Sequence, residues 1–184
     1  MAKKLFDEQF ELAGNNAVFW LSTAKTLRRS ADIVFDAYAA DLEKLHKGVS
    51  TEGLQNLHNL ELAGCAMMLY GLGIENLAKG LIVVRGGPAA VTNGKLREWP
   101  GPSHSLKTLL NNTGVQLSEQ EEDLVARLTA FVLWAGRYPI PKLAKNMFIP
   151  QRNVESPDGW PPLPFSNTER ETYGGLFGRL EEEL

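Results

Sequence analysis

A single cysteine, Cys65, stands in this chain of 184 residues, so no intramolecular disulfide can form. It lies in the apolar stretch 63–69 with nothing basic beside it. It therefore reads as a small packing residue rather than a thiolate nucleophile. Histidine is almost as scarce. The three, at positions 46, 58 and 104, do not combine with Cys65 into the spacing of a metal site, and no metal or other cofactor is expected. Charge of either sign shows no large excess. The 19 basic against 22 acidic residues leave a net charge of −3, without the global basic footprint of a nucleic-acid binder, although a local basic patch stays open. Long apolar runs are lacking too. The longest, Ala63 to Ile74, spans 12 residues before Glu75, whereas a membrane span needs about 20. The N-terminus passes from Lys3-Lys4 to Asp7-Glu8 without the apolar core of a signal peptide. A cytoplasmic protein with no membrane partner is the expectation. Walker, His-Glu-x-x-His, Cys-x-x-Cys and Gly-x-Ser-x-Gly signatures are absent.

What is present is helical periodicity. Trp20, Ala24, Leu27, Ala31, Val34, Tyr38, Leu42 and Leu45 recur in steps of three and four, the stripe of one long helix. Arg28, Arg29, Asp32, Asp36, Asp41 and Lys44 fall off that stripe and are expected on its solvated side. A second helix, roughly Leu57 to Val84, is apolar around most of its circumference and so should be the central one. Its glycines 64, 71, 73 and 80 are each unfavourable in a helix by about 1 kcal/mol, which points to a close neighbour, either a packed helix or a ligand. The glycine- and proline-rich stretch 86–102 reads as a long irregular connection, a kind of segment that often carries function. A short helix is expected from about Ser103, its candidate cap, to Asn111, closed by Gly114. The capping box Ser118-Glu-Gln-Glu121 opens another, with Leu124, Leu128, Phe131 and Ala135 inward, ending at Gly136. A last helix is expected behind a box at Thr168-Glu-Arg-Glu171, with Tyr173, Leu176, Phe177 and Leu180 on one side.

No repeat and no strand-like alternation is visible. The fold class is all-α, an up-and-down bundle of four to five helices. Residues 1–141 form the bundle. Residues 142–184, a proline-rich segment and the last helix, are expected to pack on the same domain, with Trp160 and Phe165 as anchors.

Chemistry-bearing residues gather in three places. Glu75, Asn76 and Lys79 interrupt the apolar helix; His104 precedes a short helix; Arg137 and Tyr138 follow a helix end. A buried charge costs several kcal/mol unless paired, so these residues form either a structural network or a site. Glu75 and Lys79 can pair at i,i+4, but on so apolar a helix they are expected to reach Arg137 and His104. Arg137 can close its helix and pair with Glu75, or bind a phosphate or carboxylate in bidentate fashion.

The order of these motifs resembles the HEPN domains (higher eukaryotes and prokaryotes nucleotide-binding). Glu75, Asn76, Lys79 and Leu81 stand where that family has a Glu-Lys-x-x-Lys-x-Leu pattern, with Asn76 in place of a lysine. His104-Ser105-Leu106 resembles its His-Asp-Leu, and Arg137-Tyr138-Pro139 its Arg-Tyr-Pro. The likeness covers about residues 17–141. It implies a helical bundle, a homodimer, and a nucleotidyltransferase or antitoxin partner in a toxin–antitoxin or defence system. It also implies a nucleotide or RNA ligand at Glu75, Asn76, Lys79, His104, Arg137 and Tyr138. Many HEPN domains are metal-independent ribonucleases with an Arg-x(4–6)-His motif. No histidine follows Arg137, whereas Arg97 and His104 have the spacing. An endoribonuclease using His104 with Arg97 or Arg137 is thus the alternative to a binding module. A purely structural or oligomerisation bundle is the third reading.

Overall fold

The computed structural model describes residues 2–46, 57–86, 90–92, 94–99, 104–137 and 166–184. Among them the chain forms six α-helices: α1 Ala2–Asn15, α2 Ala17–His46, α3 Leu57–Val84, α4 Leu106–Thr113, α5 Glu119–Ala130 and α6 Asn167–Glu182. A π-helical turn, Phe131–Ala135, extends α5 to Gly136. An antiparallel hairpin, β1 (Val91–Thr92) and β2 (Lys95–Leu96), pairs Val91 with Leu96 and Thr92 with Lys95.

The long helices α2, α3, α5 and α6 make an up-and-down bundle. Lys79 lies beside Trp20 while Tyr70 bonds Asp32, so α2 and α3 run antiparallel. Gly71 meets Leu128 and Val132 while Gly64 meets Ala135 and Gly136, so α5 runs against α3. Glu121 pairs with Arg179 and Arg127 with Glu169, which sets α6 against α5. At the centre is α3, with Tyr70, Ile74, Leu77, Ala78 and Leu81 fully buried, which is why its sequence is apolar almost all round. Residues 62–84 are also long and apolar enough to cross a membrane by length and composition, although most of that stretch is buried within the bundle. The α3 glycines serve packing. A Cβ at Gly71 would stand 2.5 Å from Val132 Cγ2, and one at Gly136 would stand 2.5 Å from Met68 Cβ.

Several local expectations shift. Helix α4 starts one turn's fraction later than expected: its cap is Ser105, whose hydroxyl accepts from Thr108 N–H, and Gly114 closes it at φ 75°. Ser103 is outside the described residues, as are Tyr138, Trp160 and Phe165. Helix α6 is capped by Ser166 with Glu169, two residues before the expected box at Thr168. Both registers satisfy a Ser/Thr-x-x-Glu pattern, and extended backbone at Ser166 selects the earlier one. The solvated side expected on α2 is partly an interface, since Arg28, Asp32 and Asp36 face α6. Phe35, off the expected stripe, is core.

Helix α1 turns its polar side inward. Asn15 exchanges two hydrogen bonds with the Val91 backbone, each 2.9 Å, and Glu11 accepts from Gly94 N–H. Leu5, Phe6, Phe10 and Leu12 remain exposed. The α1–α2 corner is closed by Trp20, whose indole N–H donates to Gly14 O at 2.8 Å.

Candidate functional site

Helix α3 places Glu75 and Lys79 one turn apart on the side toward the 90–104 connection. The Glu75 carboxylate is 3% exposed and both its oxygens are occupied. Lys79 Nζ lies 2.5 Å from Oε1, and His104 Nδ1 lies 2.9 Å from Oε2. The expected choice between Glu75 pairing with Lys79 and Glu75 reaching His104 is therefore resolved as both.

Two tryptophans complete the cluster. The Lys79 ammonium sits 5.8 Å from the Trp20 ring centroid and 5.4 Å from that of Trp99, within reach of cation–π attraction. The two rings meet edge to face at 5.5 Å. The hairpin delivers the outer wall. Arg97 N–H continues its ladder to Ala90 O, and the Arg97 guanidinium lies 5.2 Å from the Trp99 centroid. Arg97 and Lys79 thus share the Trp99 indole, and His104 meets Lys79's partner Glu75. Among the described residues the Trp99 indole N–H is buried without a partner.

His104 has φ 64°, the one positive value outside glycine among the described residues. Left-handed backbone costs a non-glycine residue roughly 1–2 kcal/mol, so the chain is held there by what surrounds it. Its ring points Nδ1 at Glu75. Because a carboxylate only accepts, Nδ1 must carry the proton in a neutral ring, and Nε2 is then an acceptor. The His104 side chain is 36% exposed, and Nε2 bonds no described residue. Such an imidazole can accept a proton or a hydrogen bond from a ligand at the surface.

Two expected members stand apart. Asn76 turns back on its own helix, its amide donating to Leu72 O at 2.8 Å. Arg137 does not pair with Glu75, whose oxygens are taken. Its guanidinium donates to Leu133 O at 3.1 Å, closing the helix end. The adjacent Gly136 packs on Gly64 and Met68, seven to eleven residues before Glu75, or roughly 10–16 Å along the α3 axis. Tyr138 lies outside the described residues.

Sequence reading missed Trp20 and Trp99 as cluster members. Trp20 was assigned to the core stripe. Trp99 carried a usable signal: a large aromatic two residues from an arginine, in a loop otherwise poor in side chains that could pack.

A second polar network lies at α6. Asp32 accepts from Tyr70 Oη at 2.6 Å and from Arg170 at 3.0 Å, and Arg170 also reaches Asp36 at 2.7 Å. Burial, then the Asp32 bond, pushes the Tyr70 phenol well above its ordinary value of 10.0. Burial, against the opposing charge of Arg28, does the same to Tyr173, whose hydroxyl has no partner among the described residues. Burial would raise the Glu121 carboxyl, but the Ser118 N–H and Arg179 outweigh it and hold the group below its ordinary value. A cavity of about 480 Å³ beside this network is lined by Arg28, Asp32, Arg170 and Glu171, among others. Arg170 there is committed to Asp32 and Asp36. No group of three or more His, Cys, Asp or Glu among the described residues is placed to hold a metal ion. No protein-family model matches the chain, and neither a curated protein nor a solved structure does.

Proposed function

We propose that the chain is a HEPN-like helical module whose His104–Arg97 surface binds the phosphate groups of an RNA or a nucleotide. The observation that carries this reading is the imidazole of His104, held through Nδ1 by a buried carboxylate, with a side chain 36% exposed and Nε2 bonded to no described residue. Arg97, whose guanidinium lies over Trp99 and donates through Nε to Glu98 O, carries the kind of group that pairs with phosphate. Losing one hydrogen bond to a charged group weakens binding by about 1.5–3 kcal/mol, and each 1.4 kcal/mol is about tenfold in affinity. Fluorescence anisotropy with a labelled RNA and a labelled nucleotide is the test. Affinity falls roughly tenfold or more in both His104→Ala and Arg97→Ala, and unchanged affinity in both variants sinks the proposal.

The ribonuclease reading rests on the same carboxylate–imidazole pair, since such a pair orients a general base. In it, Nε2 of His104 takes the proton of a ribose 2′-hydroxyl and Arg97 steadies the phosphate. Cleavage of RNA in a chelator, lost in a folded His104→Ala, supports it; cleavage retained by that variant contradicts it. A cytoplasmic setting and a nucleotidyltransferase or antitoxin partner belong to the HEPN-like reading. So does a homodimer, for which the exposed Leu5, Phe6, Phe10 and Leu12 offer apolar surface. Light-scattering mass of wild type against Phe6→Glu tests that surface, with no change in mass as the contrary result.

A further inference from the structure

We propose that Lys79 is a positioning residue for His104, acting through Glu75. By neutralising the buried carboxylate, Lys79 keeps the imidazole uncharged, with its proton on Nδ1 and Nε2 left as an acceptor. This rests on the reading of His104 as the residue that meets the ligand, and it assigns Lys79 a role without ligand contact.

Charge balance around a carboxylate shielded from water is what sets the state of the ring. Glu75 is 3% exposed, and a buried carboxylate must be matched by positive charge. Lys79 provides it from one turn away. Its side chain is only 15% exposed, and its ammonium is hemmed in by Glu75, Trp20 and Trp99. Trp20 is itself fixed by its bond to Gly14 O. The pair sums to zero charge, so Glu75 has no need of a second cation and takes only a hydrogen bond from His104. Arg97, from the hairpin side, shares the Trp99 indole with Lys79. A protonated ring would have N–H at both nitrogens and nothing left to accept with. Lys79 thus keeps the acceptor available.

Without Lys79 the balance must be restored from elsewhere. The group already bonded to the free carboxylate, and able to take a proton, is His104. In Lys79→Met the proton goes to Nε2, and the acceptor at the surface disappears although no residue that faces the ligand has changed.

The test is long-range proton–nitrogen NMR of the His104 ring near neutral pH, in which protonated and bare ring nitrogens resonate far apart. In the wild type Nδ1 is protonated and Nε2 bare. In Lys79→Met both are protonated, and Lys79→Arg, which keeps the charge, restores the wild-type pattern. A folded Lys79→Met with an unchanged ring overturns the proposal, as does a wild-type ring protonated on Nε2. Should Lys79→Met not fold, Glu75→Gln serves instead. Lys79 then holds the amide oxygen, the amide nitrogen faces His104, and the ring proton moves to Nε2; a proton that stays on Nδ1 overturns the proposal. RNA affinity is read separately. A ring that ignores Lys79 while His104→Ala loses RNA sinks this inference alone, and the reverse pattern sinks the binding proposal alone.

Discussion

The cluster around Glu75 and the network around Arg170 use the same chemistry, carboxylates matched by cations and aromatic rings, yet they leave different things over. At α6 the pairs run from helix to helix. Asp32 and Asp36 take Arg170, Glu121 takes Arg179, Glu169 takes Arg127, and Lys25 reaches Glu181 at 2.5 Å. Asp36, Arg179 and Lys25 are about half exposed, where an ion pair contributes about 0–1 kcal/mol, whereas Glu121 and Arg127 are largely buried. The pairs align α6, and they do so redundantly. At Glu75 the carboxylate is sealed, its partners are few, and one of them, His104, is held in a strained backbone conformation. There one imidazole nitrogen is spent on the network, and the other bonds no described residue. Redundancy on the surface fixes a helix; a sealed pair with one open end prepares a group for a ligand.

The largest expected effect follows from that contrast. Glu75→Ala strands Lys79 among two indoles, and breaking such a buried pair costs about 3–5 kcal/mol, read as a fall in the urea midpoint. A drop as small as that of an exposed pair would erase the distinction between the two networks. Next in size is Gly136→Ala, where the new methyl meets Met68 Cβ at 2.5 Å and Gly64 O at 2.9 Å. Overpacking of this kind costs about 1–3 kcal/mol, so thermal stability falls although no polar contact is touched.

Tyr70→Phe sharpens the comparison from the α6 side. It removes one hydrogen bond to Asp32, worth about 1–1.5 kcal/mol below neutral pH and near it. The variant also has a pH signature. The folded phenol titrates above the ordinary value of 10.0, so its contribution is fully present below that value and is lost as pH rises beyond it, where the unfolded chain ionises first. Urea midpoints on either side of that pH fall more in the wild type than in Tyr70→Phe; equal falls contradict the assignment. The smallest effect belongs to Lys25→Ala, whose side chain is 53% exposed. It loses less than about 1 kcal/mol, and a larger loss in urea would mean the α6 pairs are not redundant.

How far the sequence could be read follows the same division. Helical periodicity carried the bundle, because a four-helix core needs stripes in Trp20–Leu42 and Leu124–Ala135 and an all-apolar α3. Caps were legible as patterns but ambiguous in register, as Ser166 and Thr168 illustrate, since either serine or threonine has a glutamate three residues on. Glu75, Lys79 and His104 could be named because charged residues on an apolar helix need partners. Which partners they take depends on where the 86–102 connection returns, and glycine- and proline-rich backbone has no period from which to read that. The same gap hid Trp99 and wrongly joined Arg137 to Glu75, two segments that the α5 packing keeps turns apart on α3.

The most direct measurement follows the His104 ring nitrogens by NMR while a short RNA is titrated into the wild-type protein. The expected result is a shift of Nε2 that saturates with binding, with the other two histidines unmoved. RNA that binds while Nε2 of His104 stays where it was would contradict the reading of this cluster as a ligand site.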